Sequence, residues 1–340
     1  MQIQIAKQII NHFHYHGQQA NNDTEISAEI LVDKINNKPQ PWRKKKVNSI
    51  KLAHAMRGVG EHMNKKANRV YWCSDELFFT AEPKDGGKLY SAAFCRDRLC
   101  ATCNWRKAIK VFNNLSQVID VAQDENPNLE PIFLTLTVKN PTGAELPFVL
   151  DDMFKAWARM TENRKFRQSI KGYFRALEVT YNKETGAYHP HFHAILMVDK
   201  TYFTDTKQYL HHENWVHLWR VSARLDYDPS VRIQAVREKK DRKRVHIAEV
   251  AKYTVKDSDV IQKNPQDTVL VVAALTTALH RRRLFAFGGI LFTIAKRLKM
   301  DKPEEGDLIN INEDNTIRED IFNQLVAYKW DFGLQNYVRV

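Results

Sequence analysis

Two histidines one residue apart, His191 and His193, lead into an apolar run, Ala194-Ile-Leu-Met-Val198. On a strand, residues i and i+2 face the same side, so both imidazoles would reach into one space and could share a metal ion. The turn-forming Asn182-Lys-Glu-Thr-Gly186 precedes them and predicts a hairpin. If that hairpin turns about the Glu184–Thr185 bond, Glu178 stands opposite His191. A carboxylate inside the strand Phe174-Arg-Ala-Leu-Glu-Val179 is costly unless it is paired or bound to metal. Two imidazoles and a carboxylate suit Mn²⁺ or another divalent ion, with positions left for substrate oxygens. A one-residue slip would turn Glu178 to the wrong face. The same His-x-His spacing occurs in Asn11-His-Phe-His-Tyr-His16, but no apolar strand follows it, and solvated surface is the reading there. His189 is an alternative ligand by spacing, although the next residue, Pro190, suits a strand entry.

A second pair is Glu249 and Tyr253. A helix is predicted over residues 245–256, and i and i+4 share a helix face, so phenol and carboxylate would sit side by side. Tyrosine, with a pKa of ~10, is a poor nucleophile. Beside a metal-bound phosphate and the cations Lys252 and Lys256 its phenolate is favoured. The carboxylate could act as general base for the phenol or for a water. By spacing alone the pair reads more readily as a core tyrosine and a solvated acid.

All four cysteines, Cys73, Cys95, Cys100 and Cys103, fall in one short window. Cys100-Ala-Thr-Cys103 has a zinc-knuckle spacing, and the stretch back to Cys73 is long enough for a hairpin insertion. Such a cluster does not read as a secreted disulfide framework, and no βαβ pattern surrounds it to suggest redox work. Structural Zn²⁺ is the expectation. Arg96, Arg98 and the run Asn104-Trp-Arg-Lys-Ala-Ile-Lys110 place cations around it, as on a DNA-contacting element.

The 340 residues carry 52 Lys and Arg against 40 Asp and Glu, a formal charge of +12 that points to a polyanionic partner. Hydrophobic content of 43% excludes a largely disordered chain. The longest apolar run, residues 269–279, is about half the ~20 residues of a membrane span and is expected as a buried helix. Residues 1–11 show no signal-peptide core, so a cytoplasmic location is expected, without membrane association. The charge is uneven. Residues 281–299 hold six cations and no acid, whereas 301–320 hold eight acids and two cations. Arg281-Arg-Arg-Leu-Phe-Ala-Phe-Gly-Gly-Ile290 interleaves cations and aromatics, which suits nucleic-acid contact as well as a solvated turn.

The elements that must position these residues follow in order. A strand at 131–138 precedes a helix with a Met153, Phe154, Trp157 stripe, then strands at 172–181 and 188–198. A helix at 206–225 and a strand at 230–236 complete a β-α-β-β-α-β order. His211, His212 and His217 fall on that second helix, where no two share a face as a ligand pair. The expected class is α+β, a ferredoxin-like (RRM-like) antiparallel sheet with helices on one face and the other face open. Zinc-bound N-terminal and helical C-terminal extensions would flank it. The division expected is 1–125 for DNA binding with the four-cysteine site, 126–260 for the chemistry, and 261–340 helical. Residues 18–25, 36–46, 124–130 and 257–267 are polar and expected as loops.

Three strings then fall in a telling order: Phe133-Leu-Thr-Leu-Thr-Val-Lys-Asn140, His189-Pro-His-Phe-His-Ala-Ile-Leu196, and Glu249-Val-Ala-Lys-Tyr253-Thr-Val-Lys-Asp257. With them the chain resembles the rolling-circle replication initiators of small bacterial plasmids, within the HUH endonuclease superfamily. The stretch from Cys95 to Lys110 and Phe287-Gly-Gly-Ile-Leu291 are also similar to that family. The resemblance runs from about residue 73 to about residue 307. It implies that His191 and His193, with Glu178, hold Mn²⁺ or Mg²⁺ on a scissile phosphate. Tyr253 would attack that phosphate in one strand of the plasmid's double-strand origin, leaving a 5′-phosphotyrosyl link and a 3′-OH primer. Glu249 matches a glutamate that activates water for termination, after which strand joining releases a circle. Origin DNA, host polymerase and a helicase are the implied partners, and an oligomer remains open. A related HUH relaxase or transposase is the nearest alternative, although a relaxase carries its tyrosine near the N-terminus, whereas Tyr253 follows the histidine pair by sixty residues. The non-enzymatic alternative is a zinc-containing DNA-binding regulator, which would bind DNA and never cut it.

Overall fold

The computed structural model describes residues 29–32, 34–35, 38–205, 209–236, 240–252, 254–301, 306–309, 311 and 325–340. Tyr253, the histidines of residues 12–16 and most of the acidic 301–320 segment lie outside the described residues.

The N-terminal part begins with a short antiparallel pair, β1 (Lys34–Ile35) and β2 (Lys38–Pro39), and a long helix, α1 (Trp42–Val59). The polar stretch expected to be loop through residue 46 therefore enters α1 instead. Its cations are tied down: Lys46, fully buried, donates to the carbonyls of Tyr71 and Cys73 and pairs with Asp75. Helix α2 (Asn64–Tyr71) and strands β3 (Glu76–Phe79) and β4 (Leu89–Ala92) follow. Helix α3 (Ala101–Glu125) starts at Cys100 and buries Val111, Leu115, Val118, Ile119 and Ala122, a stripe of helical period.

The centre of the chain is β5 (Leu129–Thr137), α4 (Leu146–Glu162), a short α5 (Arg164–Ser169), β6 (Ile170–Tyr181), β7 (Tyr188–Asp199), α6 (His212–Ala223) and β8 (Val231–Ala235). The β-α-β-β-α-β order is present. Then come α7 (Lys240–Val250), α8 (Asp257–Val260), α9 (Pro265–Ala278), β9 (Phe285–Gly289), α10 (Ile290–Arg297), β10 (Val326–Asp331) and β11 (Asn336–Arg339). Five strands form one antiparallel sheet in the order β8-β5-β7-β6-β9. Asn182 Oδ1 accepts from the N–H groups of Glu184 and Thr185, and Gly186 takes φ +68°, so turn chemistry fixes the β6–β7 register.

Both faces of this sheet are covered, which corrects the expectation of helices on one face only. On one side Phe192 packs against Phe154 and Trp157 of α4 and Trp219 of α6. On the other, α3 lies on β5 and α7 on β7, and Phe133 meets His193 and His246. Sequence order counted only the helices within the repeat, and the second cover comes from outside it.

The C-terminal region, expected to be helical, also contributes strands. The apolar 269–279 run does form a helix, α9, begun by the Asn264 cap and Pro265 and packed on α1 and α4, but it is buried on one face only, with Leu270 exposed on the other. No helix among the described residues is long and apolar enough to cross a membrane. However, β9 joins the main sheet beside β6, and β10 and β11 fold back to make a second sheet in the order β11-β10-β3-β4. The two glycines ending β9 allow the close approach to β6. A Cβ on Gly288 would fall 2.2 Å from the Tyr173 ring, and one on Gly289, at φ +57°, 2.3 Å from the Lys171 carbonyl oxygen.

Candidate active site

Glu178 pairs directly with His191 across the β6–β7 ladder, as the turn predicted. His193, two residues on, faces the same side. Glu178 Oε2 lies 2.9 Å from His193 Nε2 and 3.3 Å from His191 Nε2. All three residues are more than 90% buried. Their ligand atoms fall within 4.8 Å of one another, so the group could hold a metal ion. An octahedral ion with bonds of ~2.1 Å sets neighbouring ligand atoms ~3.0 Å apart, and the nitrogen–oxygen spacings fit that edge.

Each imidazole is oriented by its other nitrogen. His191 Nδ1 lies 3.0 Å from the His189 carbonyl, and His193 Nδ1 lies 3.1 Å from the Thr135 hydroxyl. The carbonyl can only accept, so Nδ1 of His191 donates to it, and an ion bound at Nε2 would take the place of the proton that Nε2 shares with Glu178. Thr135 is a contributor that sequence reasoning missed. It stands beside His193 on β5, and its signal was the polar residue alternating with leucines in Phe133-Leu-Thr-Leu-Thr137.

Lys256 Nζ lies 3.2 Å from Glu178 Oε1. Burial opposes ionisation of Glu178, but hydrogen bonds from His191 and His193, with the charges of His191 and Lys256, outweigh it and hold its carboxyl well below the ordinary carboxylate range. Glu249, on α7, brings Oε1 to 3.9 Å from His193 Nε2, while its other oxygen pairs with Lys252. The helix predicted for 245–256 runs instead from Lys240 to Val250. Glu249 stands in its last turn, and the pairing expected with Tyr253 falls outside the described residues. The chain leaves the helix, and the Thr254 carbonyl accepts from Val179 N–H at 2.7 Å, next to Glu178. Tyr253 itself is not described, but of the lysines on either side of it Lys256 reaches Glu178 and Lys252 pairs with Glu249.

The four cysteines converge at the start of α3, all buried and none in a disulfide. Sγ–Sγ distances are 3.5 Å for Cys73–Cys103 and 3.6 Å for Cys95–Cys103 and Cys73–Cys100. A disulfide needs ~2.05 Å, whereas a tetrahedron with zinc–sulfur bonds of ~2.3 Å has edges of ~3.8 Å. Backbone N–H groups of Cys95, Arg96 and Asp97 point at these sulfurs, the usual support for thiolates on a cation. This group, too, could hold a metal ion. Crowded together, the thiols do not ionise alike: hydrogen bonds to Cys100 push Cys95 and Cys103 up. Lys46, unnoticed in the sequence within Arg43-Lys-Lys-Lys46, adds a buried positive charge beside Cys73.

The structure does not bring His211, His212 or His217 to either cluster. His212 Nε2 lies 2.8 Å from the Val231 carbonyl, and His211 caps α6.

Fold and site together define an α+β protein with two ready ligand sets, one of imidazoles and carboxylate and one of thiolates. Residues 86–338 match the model of the Replication protein family, and the chain belongs to that family. The resemblance carried by the ordered motifs is thus borne out. A "Protein rep" of Lentilactobacillus hilgardii is 36% identical over 317 residues, covering 92% of this chain and 99% of that protein. A "Protein rep" of Lactiplantibacillus plantarum is 35% identical, covering 91% and 99%. A "Replication protein" of Staphylococcus aureus is 37% identical over 211 residues, covering 61% and 90%. No solved structure matches the chain.

Proposed function

We propose that this chain initiates rolling-circle replication of a plasmid, as an HUH-type endonuclease that nicks one strand of the double-strand origin. The observation that carries the reading is the convergence of Glu178, His191 and His193 on one face of a hairpin, with Glu249 and Lys256 drawn to the same point. His191, His193 and Glu178 are the residues to hold Mn²⁺ or Mg²⁺, which when bound supplies Lewis-acid charge to the scissile phosphate oxygens. The Tyr253 oxygen attacks phosphorus in line, the bond to O3′ breaks, and O3′ takes up a proton. The products are a 5′-phosphotyrosyl link and a 3′-OH from which a host polymerase extends, with a helicase opening the duplex. Lys252 and Lys256 favour the phenolate and stabilise charge on the phosphoryl oxygens. Glu249 serves as general base for water in the last cleavage, and strand joining releases the circle. The cysteine set holds structural Zn²⁺ and does no chemistry.

The test is a nicking assay on a 3′-labelled single-stranded oligonucleotide from the replicon's own origin, with Mn²⁺. Wild type cleaves it and stays covalently attached to the downstream fragment, and Tyr253→Phe gives no adduct. An adduct that persists in Tyr253→Phe would remove Tyr253 as nucleophile, and a wild type that binds the DNA without cutting would favour a regulator.

A further inference from the structure

Away from both metal-ready clusters, a cavity of about 220 Å³ opens between the loop after Cys95 and the turn after α9. Five cations line it, Lys66, Arg69, Arg96, Arg98 and Arg281, against one acid, Asp97, an excess of four positive charges. Asp97 is fully engaged. Its Oδ1 accepts Leu99 N–H at 2.9 Å, and its Oδ2 lies 3.0 Å from Lys66 Nζ. Asp301, whose carboxylate senses Arg96, is paired with Lys110 at 2.8 Å.

Two of the guanidinium groups are pinned. Arg69 donates to the Cys95 carbonyl at 2.6 Å, and Arg98 donates to the carbonyls of Leu279 at 2.7 Å and Arg282 at 2.6 Å. These bonds tie the cysteine loop to the turn after α9 and fix the cluster's shape. Arg96 and Arg281 both take left-handed backbone, φ 57° and 53°, a conformation that side chains other than glycine seldom adopt. Such backbone persists where the surroundings enforce it, and here it flanks one small basic cavity.

Several guanidinium groups held at fixed angles around a small polar cavity match the oxygens of a phosphodiester. We infer that this cavity seats a backbone phosphate of the DNA, on the flank of the nicking site. The inference takes its polyanion from the proposed function but does not depend on cutting. Its position is bounded by the chain. Arg281 lies four residues before Phe285, which pairs with Ala176, two residues before Glu178. Extended-chain and ladder spacings then put Arg281 at most about 26 Å from Glu178, Cα to Cα. At ~3.4 Å per base pair, the phosphate belongs within about eight pairs of the scissile one.

The experiment measures binding of a fluorescein-labelled duplex of arbitrary sequence, about 30 base pairs long, at a series of salt concentrations without Mn²⁺ or Mg²⁺. Arg281→Asn and Arg96→Asn are suitable because asparagine tolerates left-handed backbone. Each should lower the slope of log affinity against log salt by about 0.9, so the affinity lost between about 50 and about 200 mM salt shrinks about 3.5-fold. Arg281→Lys keeps the charge and should keep most of the slope. Thermal melting and zinc content, measured alongside, exclude misfolding. Unchanged slopes in both asparagine variants overturn the inference, as does an equal fall in Arg281→Lys. A wild type that binds duplex through this cavity yet never nicks would sink the nicking reading alone.

Discussion

Glu178 Oε2 and His193 Nε2 stand 2.9 Å apart on one face of the β6–β7 hairpin. His191 shares that face, so all three candidate ligands come from two adjacent strands joined by a single turn. Their spacing depends on ladder hydrogen bonds rather than on loops, which is how a ligand set is kept in place before any ion arrives. The remaining freedom is rotation of the rings, and the Thr135 hydroxyl restrains that of His193.

Thr135→Val keeps the shape of the side chain and removes the hydroxyl. Affinity for Mn²⁺, followed by calorimetry or electron paramagnetic resonance, should fall by about 10–100-fold, with little change in melting temperature. His193→Ala in the same assay should lose binding at this centre altogether. Equal Mn²⁺ affinity in wild type and Thr135→Val would mean that Thr135 does not orient the ring.

The contrast between Glu178 and Thr135 shows what the sequence could reveal. Glu178 was legible because Asn182 and Gly186 set a tight turn, and a tight turn fixes register by counting. Thr135 lies 58 residues from His193 on a strand that no short turn connects, so no local rule aligns them. Lys46 was hidden for a related reason. A run of cations reads as solvated, and only the fold shows the carbonyls of Tyr71 and Cys73 closing around one of them. The end of α7 at Val250 escaped because no glycine or proline marks it, and the pattern continues helically past the residue where the chain turns toward β6.

Cys103 touches two other sulfurs, at 3.5 and 3.6 Å, so its removal opens the thiolate set from its centre. Cys103→Ser should lower bound zinc, measured by atomic absorption, from about one equivalent per chain toward none. Structural zinc contributes on the order of 10 kcal/mol or more in small zinc domains. The variant should therefore melt at a lower temperature than an ordinary core variant costing ~1–3 kcal/mol. Stripping wild type with a chelator should give the same melting curve. Full stability after zinc removal would leave the cysteines as packing alone.

Asp257 joins α1 to the segment that follows Tyr253: Lys45 Nζ lies 3.1 Å and Asn48 Nδ2 2.7 Å from its Oδ2. Burial would raise its carboxyl, but the Lys45 charge and the hydrogen bonds of Asn48 and Lys45 hold it below the usual 3.8. A carboxyl depressed by folding binds its proton more tightly in the unfolded chain. Its stabilisation is thus complete above the unfolded value and drains away as pH falls through the folded one. Asp257→Asn should cost about 1–3 kcal/mol near neutrality. In urea melts the gap from wild type should narrow steadily below pH ~4. A gap that stayed constant down to pH ~2 would show that the cost is steric and not ionic.

Glu249 is placed differently from the three ligand candidates, and its variant should separate two steps of the reaction. It is half-exposed, it approaches His193 only to 3.9 Å, and Lys252 engages its other oxygen. A residue so placed adds little to the ion-holding set but can reach a water beside it. Glu249→Ala should therefore keep Mn²⁺ binding and the first nick within a few-fold of wild type. The second cleavage should fall by about 10²–10⁴, the usual loss when a general base is removed. In a reaction on a plasmid carrying the origin, that variant should accumulate covalent protein–DNA adducts and products longer than one circle. Glu249→Asp, which keeps a carboxylate on a shorter arm, should recover part of the rate. Normal unit-length circles from Glu249→Ala would assign the last hydrolysis to another group, and loss of the first nick would move Glu249 into the initial chemistry.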